Sequence, residues 1–182
     1  ALALFCLGEM YSQGDCVLQN NEEAVRFFRL GVDQGDPRSQ CRLGVMALNG
    51  IGVEQNNLLA AQLFRLAADQ GDAEGRYLLG TMYEKGLGVL QSDQETVRLY
   101  RLAAEQGDVR AQIGLGFMYQ EGRGIGQRDV EAAKLYRHAA DQGDAEGRFY
   151  LGRMYEAGRG VAKSDQEAAR WYRLAAEQGE VA

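Results

Sequence analysis

The sequence predicts an all-α protein, a solenoid of five helix hairpins that are each 36 residues long. Two markers establish the period: the pair Leu7-Gly8 and the triplet Gln34-Gly35-Asp36 each return every 36 residues, the last triplet ending in Glu180. They divide the chain into the repeats 1–36, 37–72, 73–108, 109–144 and 145–180. Because each repeat in such an array buries its apolar face against its neighbours, we expect residues 1–182 to form a single domain.

The first element of each repeat is an amphipathic helix, here called helix A, with 73–85 as the example. Leu79 and Gly80 lie on its apolar side at helical spacing. A glycine on that side permits a close helix–helix approach, although it costs the helix about 1 kcal/mol. The stretch Gly86-Leu87-Gly88-Val89 then breaks helix A.

The second element, helix B, is predicted over 94–106 in the same repeat. Ser92-Asp93 supplies an N-cap, and Val97, Tyr100 and Ala103 follow at helical spacing. Large residues on helix B stand opposite small ones, as interlocking layers require. We expect helix B to end in turns at four glycines: Gly35, Gly71, Gly107 and Gly143.

Composition excludes several classes of partner and cofactor. The net charge is −6 and no cluster of Lys and Arg occurs, so we expect no nucleic-acid partner. No apolar run approaches the roughly 20 residues needed to cross a bilayer, so we expect no direct membrane insertion. The three cysteines, Cys6, Cys16 and Cys41, form no CxxC pair, so we expect no metal and no cofactor. A disulfide between two of them stays open.

The inventory of reactive residues predicts that the chain is not an enzyme. His138 is the single histidine, and it takes a helix-B position that holds leucine in the other repeats. Nucleophilic catalysis needs a base beside the nucleophile, and the few serines are scattered. The glycine-rich stretch 122–126 lacks the preceding strand and the GK[ST] ending of a phosphate-binding loop. The helix-B arginines are expected to pair with neighbouring carboxylates or carbonyls: Arg29, Arg65, Arg101, Arg137 and Arg173.

The fifth repeat carries a family resemblance. Residues 145–180 read AEGRFYLGRMYEAGRGVAKSDQEAARWYRLAAEQGE, with the elements LGxMY, GxGV and WYRxAAEQG. This pattern resembles the Sel1-like repeat, and all five repeats share it in phase. The resemblance implies a right-handed α/α superhelix related to tetratricopeptide repeats, with scaffold or adaptor roles and no catalytic residues. It favours a periplasmic or secreted location over a cytoplasmic one and leaves the compartment open.

The first repeat departs most from the pattern. Cys16 stands where the other repeats keep glycine, which leaves the conformation of the first loop open, and Ala47 replaces a tyrosine in the second repeat. The chain starts in register with its repeat and without an initiator Met, so we expect it to be a piece of a longer protein. Apolar Leu2 and Leu4 at the start lead us to expect weak self-association through the terminal repeats.

By the same resemblance, the A helices line the concave side of the solenoid. On a helical wheel, repeat positions 2, 5, 6, 9, 12 and 13 lie opposite the apolar positions and vary between repeats. Positions 5 and 9 form a predicted partner-binding band, here called the helix-A band: Phe5, Cys41, Tyr77, Ile113, Phe149, Val45, Thr81, Phe117 and Arg153. Charged residues at position 2 edge it: Arg38, Glu74, Arg110 and Glu146.

The helix-A band predicts a non-catalytic scaffold or adaptor that binds a protein or peptide. The alternative interpretation of position 5 is packing between neighbouring A helices, without contact to a partner. The alternative function is a small-molecule-binding or hydrolytic member of the family, because one family branch has been linked to β-lactam recognition. No SxxK motif of the kind that β-lactam-acting enzymes use is present.

Overall fold

The computed structural model describes the backbone of residues 1–179 and the side chains of residues 1–177, and Glu180, which ends the fifth repeat, lies outside this range. The described residues form ten α-helices and no strand. The helices are α1 (Leu2–Gln13), α2 (Asn21–Asp33), α3 (Pro37–Asn49), α4 (Asn57–Asp69), α5 (Ala73–Lys85), α6 (Asp93–Ala104), α7 (Val109–Glu121), α8 (Asp129–Asp141), α9 (Ala145–Ala157) and α10 (Asp165–Gly179). The predicted all-α class and the alternation of helices A and B are confirmed.

The chain forms two compact units, an N-terminal unit Ala1–Ser92 and a C-terminal unit Asp93–Ala182. In the N-terminal unit, consecutive helices from α1 to α5 pack on one another, and α3 also contacts α5. In the C-terminal unit, consecutive helices from α6 to α10 do the same, and α7 also contacts α9. Among the described residues, no helix combines the length and apolar content needed to cross a membrane.

The recurring Gln-Gly-Asp triplet makes the turn from helix B to the next helix A. The backbone φ angle of the glycine is positive at Gly35, Gly71, Gly107 and Gly143, for example 75° at Gly35 and 90° at Gly143, so the four predicted turns are confirmed. The aspartate that follows caps the next helix: Asp36 accepts a 3.0 Å hydrogen bond from the backbone N–H of Ser39. One triplet therefore ends one helix and begins the next.

In the first, second, fourth and fifth repeats, the glycine of the Leu-Gly pair lies against an aromatic ring of helix B in its own repeat. A Cβ atom added to Gly44 would lie 2.5 Å from the ring of Phe64, and one added to Gly116 would lie 2.7 Å from the ring of Tyr136. Phe64 and Tyr136 are both fully buried. The absence of a side chain on helix A thus creates the space that the ring of helix B fills.

The loop between helices A and B keeps its shape in the first repeat despite the loss of its glycine. Cys16 has a φ angle of 64°, close to the 65° of Gly52 at the equivalent position of the second repeat. Among the described residues it is the single non-glycine residue with positive φ. All three cysteines of the chain are free, with Cys6 and Cys16 exposed and Cys41 buried.

The expected pairing of the helix-B arginines with carboxylates or carbonyls is wrong where the structure gives their partners. Arg65 donates a 2.6 Å hydrogen bond to the hydroxyl of Tyr83, and Arg101 donates a 3.4 Å bond to the hydroxyl of Tyr119. Arg137 bonds to Tyr155 in the same way. Each tyrosine lies on helix A of the following repeat, so these bonds connect successive repeats.

Candidate functional site

The helix-A band predicted from the sequence is not a continuous exposed surface. At position 5, Phe149 is 45% exposed, while Phe5 and Tyr77 are half-buried. Cys41 and Ile113 are buried, with 1% and 7% of their surface exposed, so their assignment to the exposed band is corrected. For these two residues the alternative interpretation, packing against neighbouring helices, describes their environment.

The burial of Cys41 and Ile113 follows from their neighbours. The Cys41 thiol donates a 3.5 Å hydrogen bond to the carboxylate of Asp72, the residue that caps α5. Burial, followed by the nearby charge of Asp72, raises the pKa of the Cys41 thiol well above its usual range, so the group stays protonated. Ile113 belongs to the apolar cluster around Tyr136 in the C-terminal unit.

The remaining predicted positions differ in how freely they face solvent. At position 9, Arg153 is exposed, whereas Val45, Thr81 and Phe117 are half-buried. The Thr81 hydroxyl donates to the backbone carbonyl of Tyr77 at 3.1 Å.

Two of the predicted rim residues form ion pairs with the aspartate that caps their own helix. Arg38 forms an ion pair of 3.0 Å with Asp36, and Arg110 forms one of 2.8 Å with Asp108. Of the other two rim residues, Glu146 is exposed and Glu74 is half-buried. The arginine charges therefore reinforce the capping aspartates rather than form a separate rim.

In the N-terminal unit, the band contains one aromatic contact site around Phe5. Its ring lies 6.1 Å from the ring of Phe28, centroid to centroid. The guanidinium carbon of Arg38 lies 4.8 Å from the centroid of Phe5, within the range of a cation–π interaction. Phe5 thus contacts both Arg38 of the next repeat and Phe28 of its own hairpin.

In the C-terminal unit, four aromatic rings meet on α8, α9 and α10, and they form what we call the aromatic patch: Tyr136, Phe149, Tyr150 and Tyr172. The centroid of Phe149 lies 5.6 Å from that of Tyr150 and 5.8 Å from that of Tyr172. Tyr150 in turn stacks on the buried Tyr136 at 5.0 Å. Phe149 is therefore an exposed ring held on a support of other rings.

Polar groups edge the aromatic patch. The Tyr172 hydroxyl donates a 2.7 Å hydrogen bond to the carboxylate of Glu156. Burial, together with this bond to a carboxylate, raises the pKa of Tyr172 to about 12, so the hydroxyl remains a donor at neutral pH. The Tyr136 hydroxyl donates to the side-chain oxygen of Gln120 at 3.3 Å. Gln120, Glu156 and the exposed Arg153 also line an adjoining cavity of 160 Å³.

Sequence reasoning missed three of the four rings in this patch. Tyr136 and Tyr172 occupy the helix-B position that fills the hairpin core, yet Tyr172 keeps part of its surface exposed. Tyr150 stands at repeat position 6, where the other repeats carry unrelated residues. That variability was a usable signal, because a position that no repeat needs for stacking is free to serve a partner. Among the described residues, no group of three or more potential ligands could hold a metal ion.

The sequence and the structure were compared with known proteins. The family model for the Sel1 repeat matches residues 1–36, 37–72, 73–108, 109–144 and 145–180. A search of curated protein sequences found no match.

Solved structures resemble the chain over nearly its whole length. A protective antigen present in uropathogenic Escherichia coli strains, which displays an SLR fold, is 35% identical with a TM-score of 0.91, over 98% of this chain. A Sel1 repeat protein from Oxalobacter formigenes is 29% identical with a TM-score of 0.92, over 99% of this chain. The chain spans 38% of the length of the first structure and 72% of the second.

Proposed function

We propose that this chain, which belongs to the Sel1 repeat family, is a non-catalytic scaffold that binds a partner protein or peptide through the aromatic patch on α8, α9 and α10. The observation that carries the proposal is Phe149, which is 45% exposed and rests on Tyr150 and Tyr172. A large apolar ring exposed on a rigid support is unfavourable in water and favourable in an interface.

The composition of the patch suits protein recognition. Aromatic residues are enriched at binding hot spots, and a polar rim usually surrounds them. Here Gln120, Arg153 and Glu156 supply that rim. Because neighbouring rings already hold Phe149, binding would require little loss of side-chain conformational entropy.

The absence of catalysis is part of the proposal. The sequence contains one histidine, His138, and its side chain is exposed on the last turn of α8. A general base works best where protein groups hold it against a nucleophile and exclude water. We further propose that the five repeats act as one binding domain, whose partner is a protein rather than a nucleic acid because the net charge is −6.

The proposal is tested by site-specific photo-crosslinking. The photoreactive amino acid p-benzoylphenylalanine is placed at position 149 and, in a matched control, at position 66, where Leu66 is 49% exposed on α4. Both proteins are irradiated in extracts of the native organism, and the crosslinked proteins are identified by mass spectrometry. We expect a defined partner to be crosslinked at position 149 and absent at position 66. Identical background products at both positions would refute the proposal.

A further inference from the structure

A second surface with an unassigned cavity lies among the B helices of the C-terminal unit. A groove of 390 Å³ runs between α6 and α8, with α7 as its floor. Leu115 and Tyr119 of α7 and Leu135 of α8 supply its apolar lining, and Ala104 forms the wall on α6. This volume is within the usual range of pockets that hold a small ligand or one large side chain. We refer to it as the α6–α8 groove.

The equivalent groove one repeat later is filled by the chain itself. Trp171 of α10 stands 36 residues after Leu135, and it is 7% exposed. It belongs to the apolar cluster that contains Ala140, Leu151 and Met154, with Tyr155 packed against it. An indole side chain thus occupies, between α8 and α10, the place that Leu135 leaves open between α6 and α8.

The equivalent groove in the N-terminal unit is also filled, by aliphatic side chains. Leu63 takes the place of Leu135 and is buried, and Leu59 packs against the same cluster in the place of Glu131. Val32 stands at the position equivalent to Ala104 and packs against the same apolar cluster. A polar residue and a smaller residue at two equivalent positions, Glu131 for Leu59 and Ala104 for Val32, therefore account for the opening of the α6–α8 groove relative to the N-terminal unit.

The charges at the rim of the α6–α8 groove indicate the polarity of an occupant. Glu105 and Glu131 both line it. Glu131 also forms a 2.9 Å ion pair with Lys134, whereas Glu105 follows the carboxyl end of α6, where the helix dipole favours a cation. The one arginine of the lining, Arg101, donates its hydrogen bond to the Tyr119 hydroxyl at 3.4 Å. His138 lies where the neighbouring repeat carries Leu174 and adds a polar edge.

We propose that the α6–α8 groove binds an aromatic side chain of a partner segment, with a basic residue next to it. The ring takes the place that Trp171 fills in the adjacent groove, and the basic residue faces Glu105 and Glu131. This site lies between two B helices, with α7 beneath it, and it shares no residue with the aromatic patch, so its test is independent of the proposed function.

The test uses a short probe peptide of sequence Gly-Trp-Arg-Gly, acetylated and amidated, together with Gly-Leu-Arg-Gly and Gly-Trp-Glu-Gly as matched peptides. The protein carries ¹³C-labelled leucine methyl groups, and binding is followed by the chemical shifts of Leu115 and Leu135. We expect saturable shifts at both leucines, with Gly-Trp-Arg-Gly binding at least about fivefold more tightly than either matched peptide.

Two variants taken from the other repeats close the groove from opposite walls. Leu135→Trp reproduces the filled α8–α10 groove, and Ala104→Val reproduces the residue of the N-terminal unit. Each should weaken binding about tenfold or more while circular dichroism reports the same helical content. Phe149→Ala should leave the affinity unchanged, because Phe149 belongs to the aromatic patch.

The proposal would be overturned by unmoved Leu115 methyl groups, by equal affinity for the three peptides, or by unchanged affinity in both groove-filling variants. If one variant fails to fold, the other still decides the last point. Loss of binding in Phe149→Ala would also overturn it, because the peptide would then occupy the aromatic patch.

Discussion

Helices α3 and α9 lie three repeats apart in the sequence and differ at repeat positions 5 and 6. Position 5 is Cys41 in α3 and Phe149 in α9, and position 6 is Arg42 in α3 and Tyr150 in α9. Cys41 is buried, and Arg42 forms a 3.0 Å ion pair with Glu9. Phe149 is exposed and Tyr150 supports it. The repeat determines the backbone position of a side chain, but the size of the side chain and its neighbours determine whether it reaches solvent.

The loops that follow α3 and α9 differ in the same way. Ile51 stands in the loop after α3 and is exposed. Arg159 stands at the equivalent position after α9 and donates hydrogen bonds of 2.9 and 3.0 Å to Asp129, at the start of helix B of the preceding repeat. In the C-terminal unit, a polar pair at this position therefore connects one repeat to the repeat before it. In the N-terminal unit, the same position holds an exposed apolar residue.

Exchanging the position-5 residues tests the first difference and has the largest expected effect on stability. Cys41→Phe inserts a ring into a fully packed site, so we expect it to lower the free energy of unfolding by about 2–3 kcal/mol. Phe149→Cys removes a half-exposed ring, so we expect a loss below about 1 kcal/mol. Urea denaturation followed by circular dichroism measures both. Equal losses in the two variants would mean that the burial of position 5 does not differ as described.

Replacing Arg159 with isoleucine, the residue at position 51, tests the second difference and has a smaller effect. Both partners of the pair are partly exposed, so solvent screening limits its contribution, and we expect Arg159→Ile to cost no more than about 1 kcal/mol at pH 7. The hydrogen bonds from Arg159 hold the pKa of Asp129 below its usual value. Because the pKa of Asp129 is lower in the folded state, its ionised form stabilises the protein at pH values above its pKa in the unfolded chain, about 3.9.

That contribution is lost as the pH falls through the folded pKa of Asp129. The free energies of unfolding of the wild type and Arg159→Ile should therefore differ at pH 7 and converge as the pH falls below about 4. Urea denaturation at a series of pH values measures this. A difference that stays constant down to acidic pH would show that Arg159 acts through packing or through its 3.1 Å hydrogen bond to the backbone carbonyl of Gln120 rather than through the charge of Asp129.

The period of the sequence was enough to predict the fold. The Leu-Gly pair marks the place where helix A contacts an aromatic ring of helix B. The Gln-Gly-Asp triplet marks the turn between repeats and the aspartate that caps the next helix. Such contacts recur at the same place, so they appear in the sequence as a period. The partners of Arg65 and Arg101 were not predicted, because a tyrosine hydroxyl 18 residues away does not follow from charge.

The site was predicted only in part, for a related reason. Position 5 was recognised as apolar, but exposure depends on what neighbouring helices place over it, as Asp72 and Phe149 illustrate. Phe149 contacts both Tyr150 of its own helix, α9, and Tyr172 of α10, so the cluster combines rings from two helices. A single sequence shows which residues vary between repeats, but not which of them meet in space.

The most direct test of the central claim is the affinity of the partner that is crosslinked at position 149, measured by isothermal titration calorimetry. Phe149→Ala on α9 is compared with Val45→Ala on α3, a predicted band residue of the N-terminal unit, after circular dichroism confirms both folds. We predict that Phe149→Ala weakens binding about thirtyfold, or about 2 kcal/mol, whereas Val45→Ala changes it less than about threefold. Equal losses, or no loss in Phe149→Ala, would contradict the account.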